Sequence, residues 1–218
     1  MDQIIQTITV YFLPVIFAIT LHEAAHGYVA RHFGDPTAHL AGRISLNPLR
    51  HIDPVGTILV PLVVVALSMA AGQPPWMFGW AKPVPVNFAN LRQPKQDMLW
   101  VALAGPAMNF LMVFAWALFL KILAVTNATE PFLIRVALAG IAVNISFMLL
   151  NLLPIPPLDG GRVAVSLLPP RLAWQYAKLE RFGFLILIVL LQLRVINVVL
   201  APFFSAMYRL IRFTFALN

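Results

Sequence analysis

Two histidines and a glutamate interrupt the apolar stretch "AITLHEAAHGYVARHFG" at 18–34. His22 and His26 stand four apart, so on a helix they lie one turn apart on the same face, spaced to hold a single metal ion with imidazole nitrogens. Glu23 lies beside them. In an H-E-x-x-H pattern that glutamate does not bind the metal; it takes a proton from the attacking water and returns it to the leaving nitrogen. An ionisable group inside a membrane span costs about 2.5–3.5 kcal/mol on insertion scales, so three within five residues need a compensating partner such as a metal and a water-filled cavity. The plainer reading is a helix end lying in the membrane interface. With Arg31 marking the cytoplasmic edge, however, His26 lies about 7 Å and His22 about 13 Å below it at 1.5 Å rise per residue, too deep for surface residues.

Two histidines do not complete a site, because catalytic zinc usually takes three protein ligands and leaves the fourth position to water. The stretch "NLLPIPPLDGGR" at 151–162 offers Asp159. Pro154, Pro156 and Pro157 are expected to break the helix there, and Gly160 and Gly161 to permit a sharp turn, so that the carboxylate is presented from irregular backbone. Alone, Asp159 reads as a cap or turn residue; at the depth of the histidines it reads as the third ligand. Asn109 in "GPAMN" and Asn144, seven before Asn151 and on the same helical face, either line the cavity or make an interhelical hydrogen bond. Gly105 then serves close helix approach. His32, His39, His51 and Asp53 are read as loop residues.

The elements that must position these residues follow from composition. The chain has 218 residues, 61% of them hydrophobic and only 11% charged, with a mean hydropathy of +0.85. Such a chain is a membrane protein, and at about 20 residues per span it holds roughly five or six crossings. The expected fold is all-α and multi-span, one membrane-embedded domain over 1–218, with a core at about 4–165 and C-terminal helices at about 182–216. The opening "MDQIIQTITVYFLPVIFAIT" lacks a basic n-region and an A-x-A site, so it is expected to stay as the first span. The net charge of +7 is scattered between apolar runs, a topology signal rather than a nucleic-acid one. The absence of cysteine excludes disulfides and cysteine-ligated metal.

Apolar runs place helices at about 4–31, 54–71, 98–124, 131–153, 182–199 and 201–216. Basic residues in 32–53 and 154–181 put those links in the cytoplasm, and the 122–130 turn outside. Simple alternation of the first three helices contradicts that assignment. Either 54–71, broken by Pro61, is re-entrant, or an extended, β-like segment within 73–97 returns through the protein interior; the second is preferred. "KPVPVN" at 82–87 cannot be helix, since its prolines fix extended geometry and remove donors.

"HEAAH", "AGPAMNF" and "NLLPIPPLDGG", in this order, resemble the site-2 protease family of intramembrane zinc metalloproteases. "GRISLNPLRHIDPVGT" and "GWAKPVPVN" resemble its compact prokaryotic branch, without PDZ or CBS domains. The resemblance covers about residues 15–165. It implies that His22, His26 and Asp159 bind one Zn2+, that Glu23 is the acid/base, and that the substrate is another protein's transmembrane helix in the lipid bilayer. Asn151 would hold substrate or the oxyanion. The segment containing Val84 and Val86 would approach the active site, where their N–H groups could pair with an unwound substrate. A prokaryotic inner membrane is implied, with the active site toward the cytoplasm. The competing classes are a metal-ion transporter, which should string its ligands along a path, and an inactive helix-binding relative.

Overall fold

The computed structural model describes residues 2–59, 62–63 and 82–216. Four helices in it are long and apolar enough to cross a membrane. These are α1 (Asp2–His32), α3 (Pro94–Val125), α4 (Pro131–Asn151) and α8 (Val195–Phe215). Shorter helices join them: α2 (Thr37–Leu40), α5 (Asp159–Leu167), α6 (Pro170–Ala177) and α7 (Glu180–Gln192). No strand occurs among the described residues. The protein is thus all-α, with several membrane-length helices.

Local chemistry sets the helix ends. Pro94 and Pro131 occupy first helical positions, where a missing N–H costs nothing. Asp97 caps the first turn of α3 by accepting from the Gln93 N–H at 2.7 Å. Arg31 lies in the last turn of α1, its charge favourable at the negative end of the helix dipole.

Helices α1, α3 and α4 pack on one another, and α4 is central, with 56% of its span buried. Between lipid-embedded helices there is no hydrophobic driving force, so close fit and small residues must hold them. Ala18, Ala24, Ala25 and Ala30 of α1 and Ala137 and Ala139 of α4 are accordingly buried. Gly140 lies against the Trp116 ring, where a Cβ would come within 2.3 Å of the indole. Helix α8 closes one side with Ile196, Leu200 and Ile211.

Two expectations need correction. The break expected near residue 200 falls at Leu193–Arg194, where Arg194 adopts φ 57°, and α8 runs through Pro202, as membrane helices tolerate. The preceding helix α7 has 13 residues, about 20 Å, too short to cross a bilayer core of about 30 Å. The run at 54–71 begins as a single π-helical segment, Pro54–Leu59. Whether it crosses lies outside the described residues, as does the 73–81 part of the 73–97 segment.

Candidate metal centre

Helix α1 places His22 and His26 on its buried face, 7% and 5% exposed. Helix α5 brings in Asp159. His22 Nε2 lies 3.1 Å from His26 Nε2, and Asp159 Oδ2 lies 3.2 and 3.3 Å from the two nitrogens.

The outer nitrogens fix the protons. His22 Nδ1 lies 2.6 Å from Asn109 Oδ1 and His26 Nδ1 lies 2.7 Å from the Val101 carbonyl. Both partners are acceptors, so each Nδ1 carries a hydrogen, and in the neutral form that ligates a metal each ring turns its Nε2 lone pair inward. Asn109 can face His22 only through its oxygen, because its Nδ2 donates to Ala18 O and to Asn144 Oδ1, at 3.3 and 3.0 Å. Asn144 is oriented in turn by donating to Gly140 O at 2.8 Å.

Three lone-pair donors therefore converge, and the buried Asp159 Oδ2 has no hydrogen-bond partner. Acceptors at such separations repel unless positive charge lies among them. Tetrahedral zinc with bonds of about 2.0–2.1 Å sets its ligand atoms about 3.3 Å apart, the separation found here. The residues fit a zinc ion. Helix α3 walls the centre with Gly105, where a Cβ would lie 2.4 Å from His26 Nε2 and 2.5 Å from His22 Nε2.

Asp159 is not presented from irregular backbone, as expected, but from the first position of α5. Gly160 and Gly161 serve packing rather than a turn. A Cβ on Gly160 would lie 2.3 Å from Leu153 O, and one on Gly161 2.6 Å from Pro156 N. The 152–158 elbow is held from outside by the Tyr176 hydroxyl, which donates to Pro154 O, and by Gly183, which packs on Pro156.

Glu23 is half-buried, and its Oε2 accepts the Val84 N–H at 2.7 Å. Val84 thus meets the centre from the extended 82–87 segment, but its N–H is engaged by Glu23 and is not open for pairing with substrate. Val86 packs beside Ala30 and Val101. Asn109 and Asn144 are fully buried among the described residues, and the interhelical hydrogen bond between them is what forms. Asn151 donates to Phe147 O of its own helix at 3.0 Å and makes no hydrogen bond to the centre among the described residues.

Sequence reasoning missed three parts of this arrangement. The Val101 carbonyl leaves no signature in a sequence. Asp35 in "GDPT" is fully buried, which a turn reading does not suggest. His51, read as a loop residue, is 2% exposed, with Nε2 donating to Ser45 O at 2.8 Å.

Fold and centre together define a class, an all-helical membrane metalloprotein with a buried histidine–carboxylate zinc-binding set. Over 204 residues the chain is 37% identical to "Putative zinc metalloprotease YwhC" of Bacillus subtilis, a match spanning 89% of this chain and 85% of the relative. It is 32% identical over 180 residues to "Putative zinc metalloprotease Rip2" of Mycolicibacterium smegmatis, covering 81% of this chain and 64% of that protein. The Rip2 of Mycobacterium tuberculosis is 30% identical over 197 residues, 88% and 69% of the two chains. No family model and no solved structure matches the chain. The chain belongs to the zinc metalloprotease family of YwhC and Rip2.

Proposed function

We propose that the protein is an intramembrane zinc metalloprotease of the site-2 type, holding one zinc per chain and hydrolysing peptide bonds in or near the transmembrane helices of other membrane proteins. The observation that carries this reading is the convergence of His22 Nε2, His26 Nε2 and Asp159 Oδ2, lone pairs inward, one residue away from Glu23. His22 and His26 lie within the membrane-length stretch Ile5–His32, so a peptide bond that reaches the centre comes from within or beside the bilayer. The proximity of Arg31 to the centre supports a cytoplasmic-side site in a multi-pass protein.

When bound, the zinc supplies Lewis acidity that activates a water and polarises the scissile carbonyl. The chain does the rest. Asn109 and Val101 hold the two imidazoles in the tautomer that ligates. Gly105 leaves room at the metal-facing edges of both rings. Glu23, with Oε2 held by Val84, keeps Oε1 to receive a proton and pass it to the leaving amine. Asn151 stands as the candidate for holding substrate or the oxyanion, which requires its amide to leave Phe147 O when substrate arrives.

Replacing Glu23 with Gln tests this reading. The amide preserves size and leaves His22, His26 and Asp159 untouched, so zinc should stay bound while cleavage of a single-span membrane protein falls by about 10²–10⁴. Cleavage at the wild-type rate would remove Glu23 as the base. Altered ion flux across vesicles, with no cleavage product from either form, would favour a transporter.

A further inference from the structure

We propose that Asp35 is a positioning residue for Glu23, acting at a distance through residues 82–92, which are extended over 82–87 and then make one 3-10 turn, Phe88–Asn90. The proposal rests on the reading of Glu23 as the acid/base. Asp35 follows α1 in a reversal made by Gly34 at φ +106°, and it is 0% exposed. A buried carboxylate is costly unless donors surround it, and here neutral donors do. Oδ1 accepts from the Thr37 N–H at 3.0 Å, from the Thr37 hydroxyl and from Asn90 Nδ2 at 3.0 Å. Oδ2 accepts from the Asn87 N–H at 2.7 Å.

The Thr37 bonds cap the local turn, and a surface aspartate could make them as well. The bonds to Asn87 and Asn90 do something the turn does not need: they pin a segment more than fifty residues away in sequence. That segment is tied at its other points to the same 33–51 connection. Lys82 N–H donates to His51 O at 3.0 Å and Arg92 N–H to Phe33 O at 3.0 Å, while Arg43 Nη2 donates to Lys82 O at 2.7 Å. Between these anchors Pro83 and Pro85 flank Val84, so the backbone is stiff there and Val84 is the sole N–H from 83 to 85. The place of the Val84 N–H is therefore set by the anchors, and it lands on Glu23 Oε2. Asp35 supplies the anchor closest in sequence on the C-terminal side of Val84. Without it the N–H shifts and the Glu23 carboxylate loses its fixed orientation toward the centre.

The experiment compares Asp35→Ala, Asp35→Asn and Val84→Pro in purified, zinc-loaded protein. The readouts are cleavage of a labelled single-span membrane protein that the wild type cuts, zinc content, and backbone hydrogen exchange. Asp35→Ala should lower kcat by about 10- to 100-fold, leave KM and zinc unchanged, and speed exchange at 82–90 but not in α1 or α3. Asp35→Asn should lose as much, because its amide nitrogen meets the Asn87 N–H donor to donor. Val84→Pro removes the donor while leaving Asp35 in place, and should give the same kcat loss with residues 86–90 still protected. Wild-type kcat in Asp35→Ala overturns the proposal, as does lost zinc, a change in KM alone, or exchange that rises throughout the protein. Should Asp35→Ala not accumulate folded, Val84→Pro and Asn90→Ala decide, and wild-type kcat in both overturns it. Glu23→Gln in the same assay separates the two readings: an inactive Glu23→Gln beside a fully active Asp35→Ala sinks only the role of Asp35, whereas an active Glu23→Gln sinks the acid/base assignment itself.

Discussion

Asn109 commits both ends of its amide, the oxygen to His22 and the nitrogen to Ala18 and Asn144. Asn109→Leu should leave the His22 Nδ1–H buried without an acceptor and free the ring to turn, weakening zinc binding by about 10–100-fold in competition with a chelator. Asn144→Leu should have a smaller effect of the same sign, because it only orients Asn109. Gly105→Ala should weaken zinc as well, since its methyl would lie within 2.5 Å of both rings; undiminished affinity there would mean that α3 can withdraw without disturbing the centre. His22 and His26 are legible in the sequence because ligand spacing along one helix is a local, one-turn property. Their supports are not. The contacts of Asn109 and Val101 span 87 and 75 residues and depend on the register of α1 against α3. The one hint is that a polar side chain within an apolar span must find a partner.

Among the elements, the connection after α1 and the extended segment form one unit, and their hinge point is titratable. Burial tends to raise the Asp35 carboxyl, but its hydrogen bonds from Thr37, Asn90 and the Thr37 and Asn87 backbones outweigh that and hold it below its ordinary value. A group lowered on folding stabilises above its unfolded pKa, about 3.9, and that stabilisation is lost as pH falls through the folded value. With no native cysteine to interfere, a spin label on a cysteine introduced at Ala89 should be immobile from neutral pH to about pH 4 and become mobile only below it. The same label in Asp35→Asn should be mobile throughout, and a wild-type label already mobile at neutral pH would contradict the anchoring. The spans α1, α3 and α4 were readable from apolar run length and flanking prolines. The helical setting of Asp159 was not, because three prolines and two glycines also spell a turn. Only the close approach of α5 to the 152–156 backbone shows why glycine is needed there.

On the scale of the whole molecule, the centre is a cross-link. Val101, Gly105 and Asn109 lie at i, i+4 and i+8, a single stripe of α3 against the two histidines of α1, and Asp159 joins from α5. A metal that binds this arrangement and not the separated helices must stabilise the fold. Chelation should therefore lower Tm, and added zinc should raise it with the logarithm of concentration. An Asp159→Ala variant, lacking the third ligand, should respond to neither. Chain order also gives the centre a timetable. His26 precedes Asp159 by 133 positions, and at about 5–20 residues per second the ribosome makes the histidine pair roughly 7–27 s before the carboxylate. Throughout that interval the nascent protein carries two of the three ligands, so the metal cannot clamp α1 to α5 until Asp159 has been made.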